Sequence, residues 1–216
     1  MQTGRGRALR RALATTAAVV LFGAGGAPPP AGAADPGTTL RVAFAIAETS
    51  FDPQFASDAA SDGIIANVYE AMLDYDYLAR PVRLVPRTLE AMPVVQDTGA
   101  TYVFRLKKGI LFTPDPAFKG KPRELTAADQ AYGLKRLLDP AVKSPWLWLV
   151  EGKIVGGDEA RAAAVKSGRF DYDAPIAGLE VVDRYTLKIR LKQPDLRFLY
   201  ALAVPNTAAV AREVVE

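Results

Sequence analysis

The sequence predicts a mixed α/β fold of α+β character, and three observations carry that reading. Residues 39–46, 102–107 and 179–191 alternate apolar and polar side chains at the two-residue period of half-buried strands. Stretches beginning near Ser61 and after Thr126 space their apolar residues as amphipathic helices do. Strands and helices interleave without internal repeats or low-complexity tracts, a pattern that layers helices on a sheet.

In chain order, residues 1–34 stand outside the fold. Arg5, Arg7, Arg10 and Arg11 precede the apolar run Ala12–Ala24, then Pro28, Pro29, Pro30 and the small triplet Ala31-Gly32-Ala33. That succession is a secretory signal peptide, with cleavage expected near Ala33 or Ala34 and the product sent to the periplasm. A membrane span would need roughly 20 consecutive apolar residues, and the Gly/Pro cluster ends this run too early. The pair Arg10-Arg11 leaves the general and twin-arginine export routes both open.

Thr39–Ile46 follows as a strand with Leu40, Val42, Phe44 and Ile46 on one face, and Phe51-Asp52-Pro53 breaks it. A helix capped by Ser61 sets Ile64, Ile65, Val68 and Met72 on one side. Tyr102, Phe104 and Leu106 mark a second strand. A loop from Thr113 to Leu125 carries Pro114, Pro116, Gly120 and Pro122. Thr126 with Asp129 is a capping-box variant for a helix whose Leu134, Leu137 and Leu138 are apolar, and Asp139-Pro140 ends it. Leu179–Leu191 reads as a hairpin turning at Asp183-Arg184. Two short helices, Leu196–Ala203 and Thr207–Val215, close the chain, the second capped by Asn206.

Composition narrows the chemistry. The chain has no Cys and no His, so no Ser-His-Asp triad, cysteine nucleophile, usual zinc site or disulfide framework can be built. No cofactor is expected. Four of the 27 Lys and Arg residues fall in the signal and none of the 24 acidic residues does, so the remainder is close to neutral. Nothing there demands nucleic acid. Asp74 with Asp76 and Asp171 with Asp173 lack the flanking Gly and Glu of a calcium loop and read as solvated turn carboxylates rather than a metal site. Lys107-Lys108 and Lys135-Arg136 read as exposed faces.

Five collinear segments resemble extracellular solute-binding proteins of family 5, the peptide- and nickel-binding receptors of ABC importers. Leu40-Arg41-Val42-Ala43-Phe44 with Phe51-Asp52-Pro53 resembles the family's opening strand and its hydrophobic-Asp-Pro signature. Asn67–Leu73 resembles NVYEGL, with Ala71 for the usual Gly, and Leu84–Glu90 resembles LxPxLAExW, with Met92 where Trp is common. Tyr102–Gly109 with Phe112 resembles YxFxLRKGVKF. Thr126–Asp129 with Tyr132, Lys135, Arg136, Asp139 and Pro140 resembles TAxDVxYSxxRxxDP. The stretch from Phe112 to Glu124 departs from the pattern, being longer than the family's turn.

The resemblance implies a periplasmic binding protein-like type II fold that is incomplete here. The expected map is a first lobe from residues 35–68 and 177–216, with residues 69–176 as a smaller inserted domain. It implies a monomeric receptor that takes a peptide or other small solute and hands it to an ABC permease in the inner membrane. It also implies that the Ser57-Asp58-Ala59 backbone pairs with an extended ligand, the alternative being a polar loop leading into the helix. Trp146 falls where family members place a pocket aromatic, the alternative being ordinary core, which is also the reading for Trp148. Members of the family are more than twice as long, so a shortened chain without transport activity is one rival reading. A secreted carboxylate-dependent hydrolase is another, although no carboxylate pair sits in a recognisable catalytic setting.

Overall fold

The computed structural model describes Gly37, Thr39 and residues 41–216, so the secretion signal expected over residues 1–34 lies outside the described residues. The chain divides into two units, Met1–Ala43 and Phe44–Glu216, and the second contains every helix and strand described here.

Its centre is a four-stranded antiparallel sheet of β3 (Val94–Gln96), β4 (Thr101–Arg105), β5 (Leu179–Asp183) and β6 (Thr186–Arg190), in the order β3-β4-β6-β5. The register sets Tyr102 opposite Ile189 and Phe104 opposite Leu187. Alternation therefore puts these four side chains on one face, and all four are fully buried. Helix α2 (Ala127–Leu138) packs on β5 and β6 and buries Leu134, Leu137 and Leu138 in the same core. The expected capping box forms: the Asp129 carboxylate accepts from the Thr126 N–H at 2.8 Å and from its hydroxyl at 2.7 Å. Arg123 adds a paired guanidinium to the same carboxylate and reaches on to Glu213. That ties the loop before α2 to the chain's last helix.

Around this core lie the β1–β2 hairpin (Leu73–Tyr75 and Leu84–Pro86), helix α3 (Gly157–Ser167) and two short helices, α4 (Phe198–Ala201) and α5 (Arg212–Val215). Helix α1 (Ala59–Val68) precedes them. It starts two residues before the expected cap, because the Asp58 carboxylate rather than Ser61 caps it, accepting from the Ser61 N–H at 2.8 Å. Asn206 caps no helix; its amide is buried and donates to the Pro53 carbonyl at 2.8 Å.

Two expectations fail here for one physical reason. Residues 41–46 form no strand, and Val42, Phe44 and Ile46 are 66%, 50% and 57% exposed. The 179–191 hairpin, mapped with them to the first lobe, pairs with β4, in register from Thr101↔Arg190 to Arg105↔Thr186. It was assigned to the first lobe and β4 to the inserted domain, yet here they share one sheet and one core. A strand needs a partner for its backbone groups, and β4 and β6 supply each other with one.

The charged pair Lys135-Arg136 is not an exposed face. Arg136 is buried, and Lys135 is half-buried, donating to the carbonyls of Tyr172 and Ala174. Asp171 accepts from the N–H groups of Asp173 and Ala174, while Asp173 pairs with Arg212. Asp76 pairs with Arg83.

Candidate functional site

The segment from Thr49 to Ser61 owes its shape to polar contacts. The Asp52 carbonyl accepts from the N–H groups of Phe55 and Ala56, folding Asp52-Pro53-Gln54-Phe55-Ala56 into a tight turn. Arg136 of α2 reaches this turn from below. Its guanidinium donates to both Asp52 carboxylate oxygens, at 2.8 and 2.6 Å, and also to the Gln54 side-chain carbonyl. The Gln54 amide, fully buried, donates in turn to the carbonyls of Asn206 and Ala208. At the far end, Thr49 donates its hydroxyl to Asp58. Hydrogen bonds from Ser61 and then Thr49 hold the Asp58 carboxyl well below the usual carboxylate range.

The expected ligand-facing residues sit at the end of this turn. Ser57 is exposed, and its N–H and C=O make no hydrogen bond to another described residue. Asp58 and Ala59 are committed differently. The Asp58 carbonyl accepts from the Asp62 N–H and its carboxylate caps α1, while Ala59 is the first residue of that helix. Of the three, only Ser57 keeps both backbone groups open for strand-type pairing.

Trp146 is brought against the same turn. Its indole N–H donates to the Ala56 carbonyl at 2.6 Å, one residue before Ser57, while its half-buried ring packs against the core. Trp148 is 59% exposed, with the Lys153 ammonium 5.9 Å from its ring centroid, so it does not join the core as expected. Placement in a short 3-10 turn, Leu147–Leu149, explains the split, since neighbouring indoles there leave in different directions.

A cavity of about 600 Å³ lies on the other flank of Asp52. Phe51, Tyr69, Phe112, Phe118 and Val210 contribute apolar walls, and the Asp52–Arg136 pair lines it too. None of Ser57, Asp58, Ala59 or Trp146 lines it. Burial, followed by the Asp52 charge, pushes the Tyr69 phenol up. Part of one wall, residues 112–115 with Phe118, belongs to the stretch longer than the family turn. Sequence reading missed Gln54 and Arg136. The available signal was Asp52 and Arg136 occurring together, since both fall in quoted motifs, but no spacing rule links side chains 84 residues apart.

Residues 83–215, more than half of the chain, match the bacterial extracellular solute-binding proteins, family 5 (middle). The chain belongs to this family. It is 31% identical over 166 residues to the peptide transport periplasmic protein SapA of Salmonella typhimurium, covering 76% of this chain and 27% of that one. Among solved structures, a periplasmic oligopeptide-binding protein of Borrelia burgdorferi matches with a TM-score of 0.61 and 23% identity, covering 77% of this chain and 30% of that one. The Helicobacter pylori DppA in complex with the peptide STSA matches with a TM-score of 0.59 and 20% identity, over 78% and 30%. These likenesses show a mixed α/β fold that corresponds to part of a type II periplasmic binding protein. The chain spans under a third of the length of the relatives it matches. Those relatives are solute-binding proteins rather than enzymes, and SapA is a periplasmic one.

Proposed function

We propose that this chain contributes one face of a peptide-binding receptor that works in the periplasm, as a monomer, with an ABC permease. One observation carries the reading. The Trp146–Ala56 hydrogen bond sets an aromatic ring beside the open N–H and C=O of Ser57. Open backbone groups accept any extended peptide as an added strand, and a rigid ring offers contact area without selecting one side chain. A receptor of this kind closes two lobes around its ligand.

The energetics limit what the chain does alone. Each backbone hydrogen bond nets about 0.5–1.5 kcal/mol, whereas association costs at least about 4 kcal/mol in lost freedom. One open residue on one face cannot offset that cost. Titration calorimetry with mixed short peptides tests the reading, comparing this chain with a version extended by the second half of a family relative. Binding only by the extended version is expected. Failure of the extended version to bind any peptide overturns the reading, and micromolar binding by the chain alone would mean that the site lies elsewhere.

A further inference from the structure

We propose that Arg136 is a positioning residue for the candidate site, holding the turn that presents the Ser57 backbone and receives Trp146; this rests on the peptide-binding reading above. Arg136 is 5% exposed, lies in the last turn of α2 and makes its hydrogen bonds to Asp52 and Gln54 rather than to Ser57–Ala59. Its fork closes on both oxygens of Asp52 while the same guanidinium holds Gln54, so one side chain fixes two alternate residues of the turn.

The turn propagates that restraint. The Asp52 carbonyl binds the Phe55 and Ala56 N–H groups, and the Asp52 carboxylate also accepts from the Gln54 N–H at 3.1 Å. The Ala56 carbonyl then receives the Trp146 indole. From Arg136 to Trp146 the path is therefore a continuous set of hydrogen bonds within a single turn. The opposite side is held by Asn206, whose amide donates to Pro53, and by the carbonyls that accept from Gln54. No buried side-chain polar atom among the described residues lacks a partner. If the guanidinium leaves, the Asp52 carboxylate and the Gln54 side-chain carbonyl lose this donor, and the turn loses the restraint they carry.

Lysine cannot replace it. An ammonium keeps the charge but lacks the planar fork that grips both Asp52 oxygens side by side, so it does not fix the orientation of the carboxylate as the guanidinium does while also holding Gln54. Arg136→Lys is thus predicted to slacken the turn without removing the ion pair. The chain has two tryptophans, so Trp148→Phe leaves Trp146 as the sole indole reporter.

In that background Arg136→Lys is expected to move Trp146 emission to longer wavelength and make it more readily quenched by acrylamide, with far-UV dichroism retained. Asp52→Glu, which displaces the carboxylate by one methylene, gives the same change and serves if the lysine variant does not fold. Leu134→Ala, which opens the core two residues before Arg136 in α2, is expected to lower the unfolding midpoint and leave Trp146 unmoved. In the extended version, Arg136→Lys weakens peptide binding by about tenfold, the consequence of one lost charge-assisted bond. Unchanged Trp146 emission in both variants, or an equal shift in Leu134→Ala, overturns the proposal. If the unmutated extended version binds no peptide, the functional reading falls while the Trp146 measurement still decides the role of Arg136.

Discussion

Residues 41–46 and 101–106 carry almost the same pattern and meet opposite fates. Val42, Phe44 and Ile46 alternate as cleanly as Tyr102, Phe104 and Leu106, yet the first three are largely exposed and the second three are fully buried. β4 lies between β3 and β6, which satisfy its backbone on both sides, and its apolar face lies in the core with α2. Among the described residues, no ladder includes residues 41–46. Alternation prepares a segment for a sheet, but pairing decides whether it joins one. The turn that follows, Asp52–Ala56, shows a third solution, in which buried polar contacts replace both pairing and apolar packing.

The largest test of this contrast is a pair of truncations. Phe104→Ala should cost about 3–5 kcal/mol in urea unfolding, the range for a fully buried aromatic. Phe44→Ala should stay within about 0.5 kcal/mol, as surface substitutions do. Equal losses would mean that the two alternating segments are equally packed.

Arg136→Met sharpens the third solution. Arg136 is buried but the Asp52 side chain is 33% exposed, so losing the guanidinium strands mainly the buried Gln54 carbonyl, and a loss of about 1–3 kcal/mol is expected. The Asp52→Leu, Arg136→Met double variant should recover part of that loss, because it removes the uncompensated charge. Denaturant midpoints for the two variants check both statements.

Gly133→Ala addresses how closely α2 meets the 205–211 segment. A Cβ there would lie 2.6 Å from the Ala208 carbonyl oxygen, a backbone atom that cannot swing aside. Overpacking of this kind costs about 1–3 kcal/mol. A smaller effect is expected from pH. Asp58 is held low by Ser61 and Thr49, and Glu124 by the Gly109 N–H and then by Arg184 and Tyr185. Folded values below the unfolded ones add stability above the usual carboxylate range, near about pH 4, that is lost as pH falls through the folded values. Urea midpoints at pH 7 and pH 3 should differ in that direction, and Asp58→Asn should shrink the difference.

The legible parts of the fold were those whose signals are local. The 179–191 hairpin, β4, the Thr126–Asp129 box and the leucine face of α2 each depend on residues within one element, and each forms, the hairpin turning one residue later than expected, at Arg184-Tyr185. What escaped depends on distant partners. The sequence near Lys135-Arg136 looks like a solvated face because the acidic partner, Asp52, comes from another element altogether. Ser57 was legible as a position but not as the one residue among three with open backbone groups, since that depends on how Asp58 caps α1. Trp146 and Trp148 were indistinguishable by periodicity, and only the Ala56 carbonyl tells them apart.

Hydrogen exchange read by mass spectrometry tests most directly whether pairing, rather than alternation, builds this molecule. Amides of 101–105 and 186–190, which bond to one another across the sheet, should exchange only through unfolding, while those of 41–46 should exchange within the first time points. Protection of 41–46 equal to that of 101–105 would contradict it.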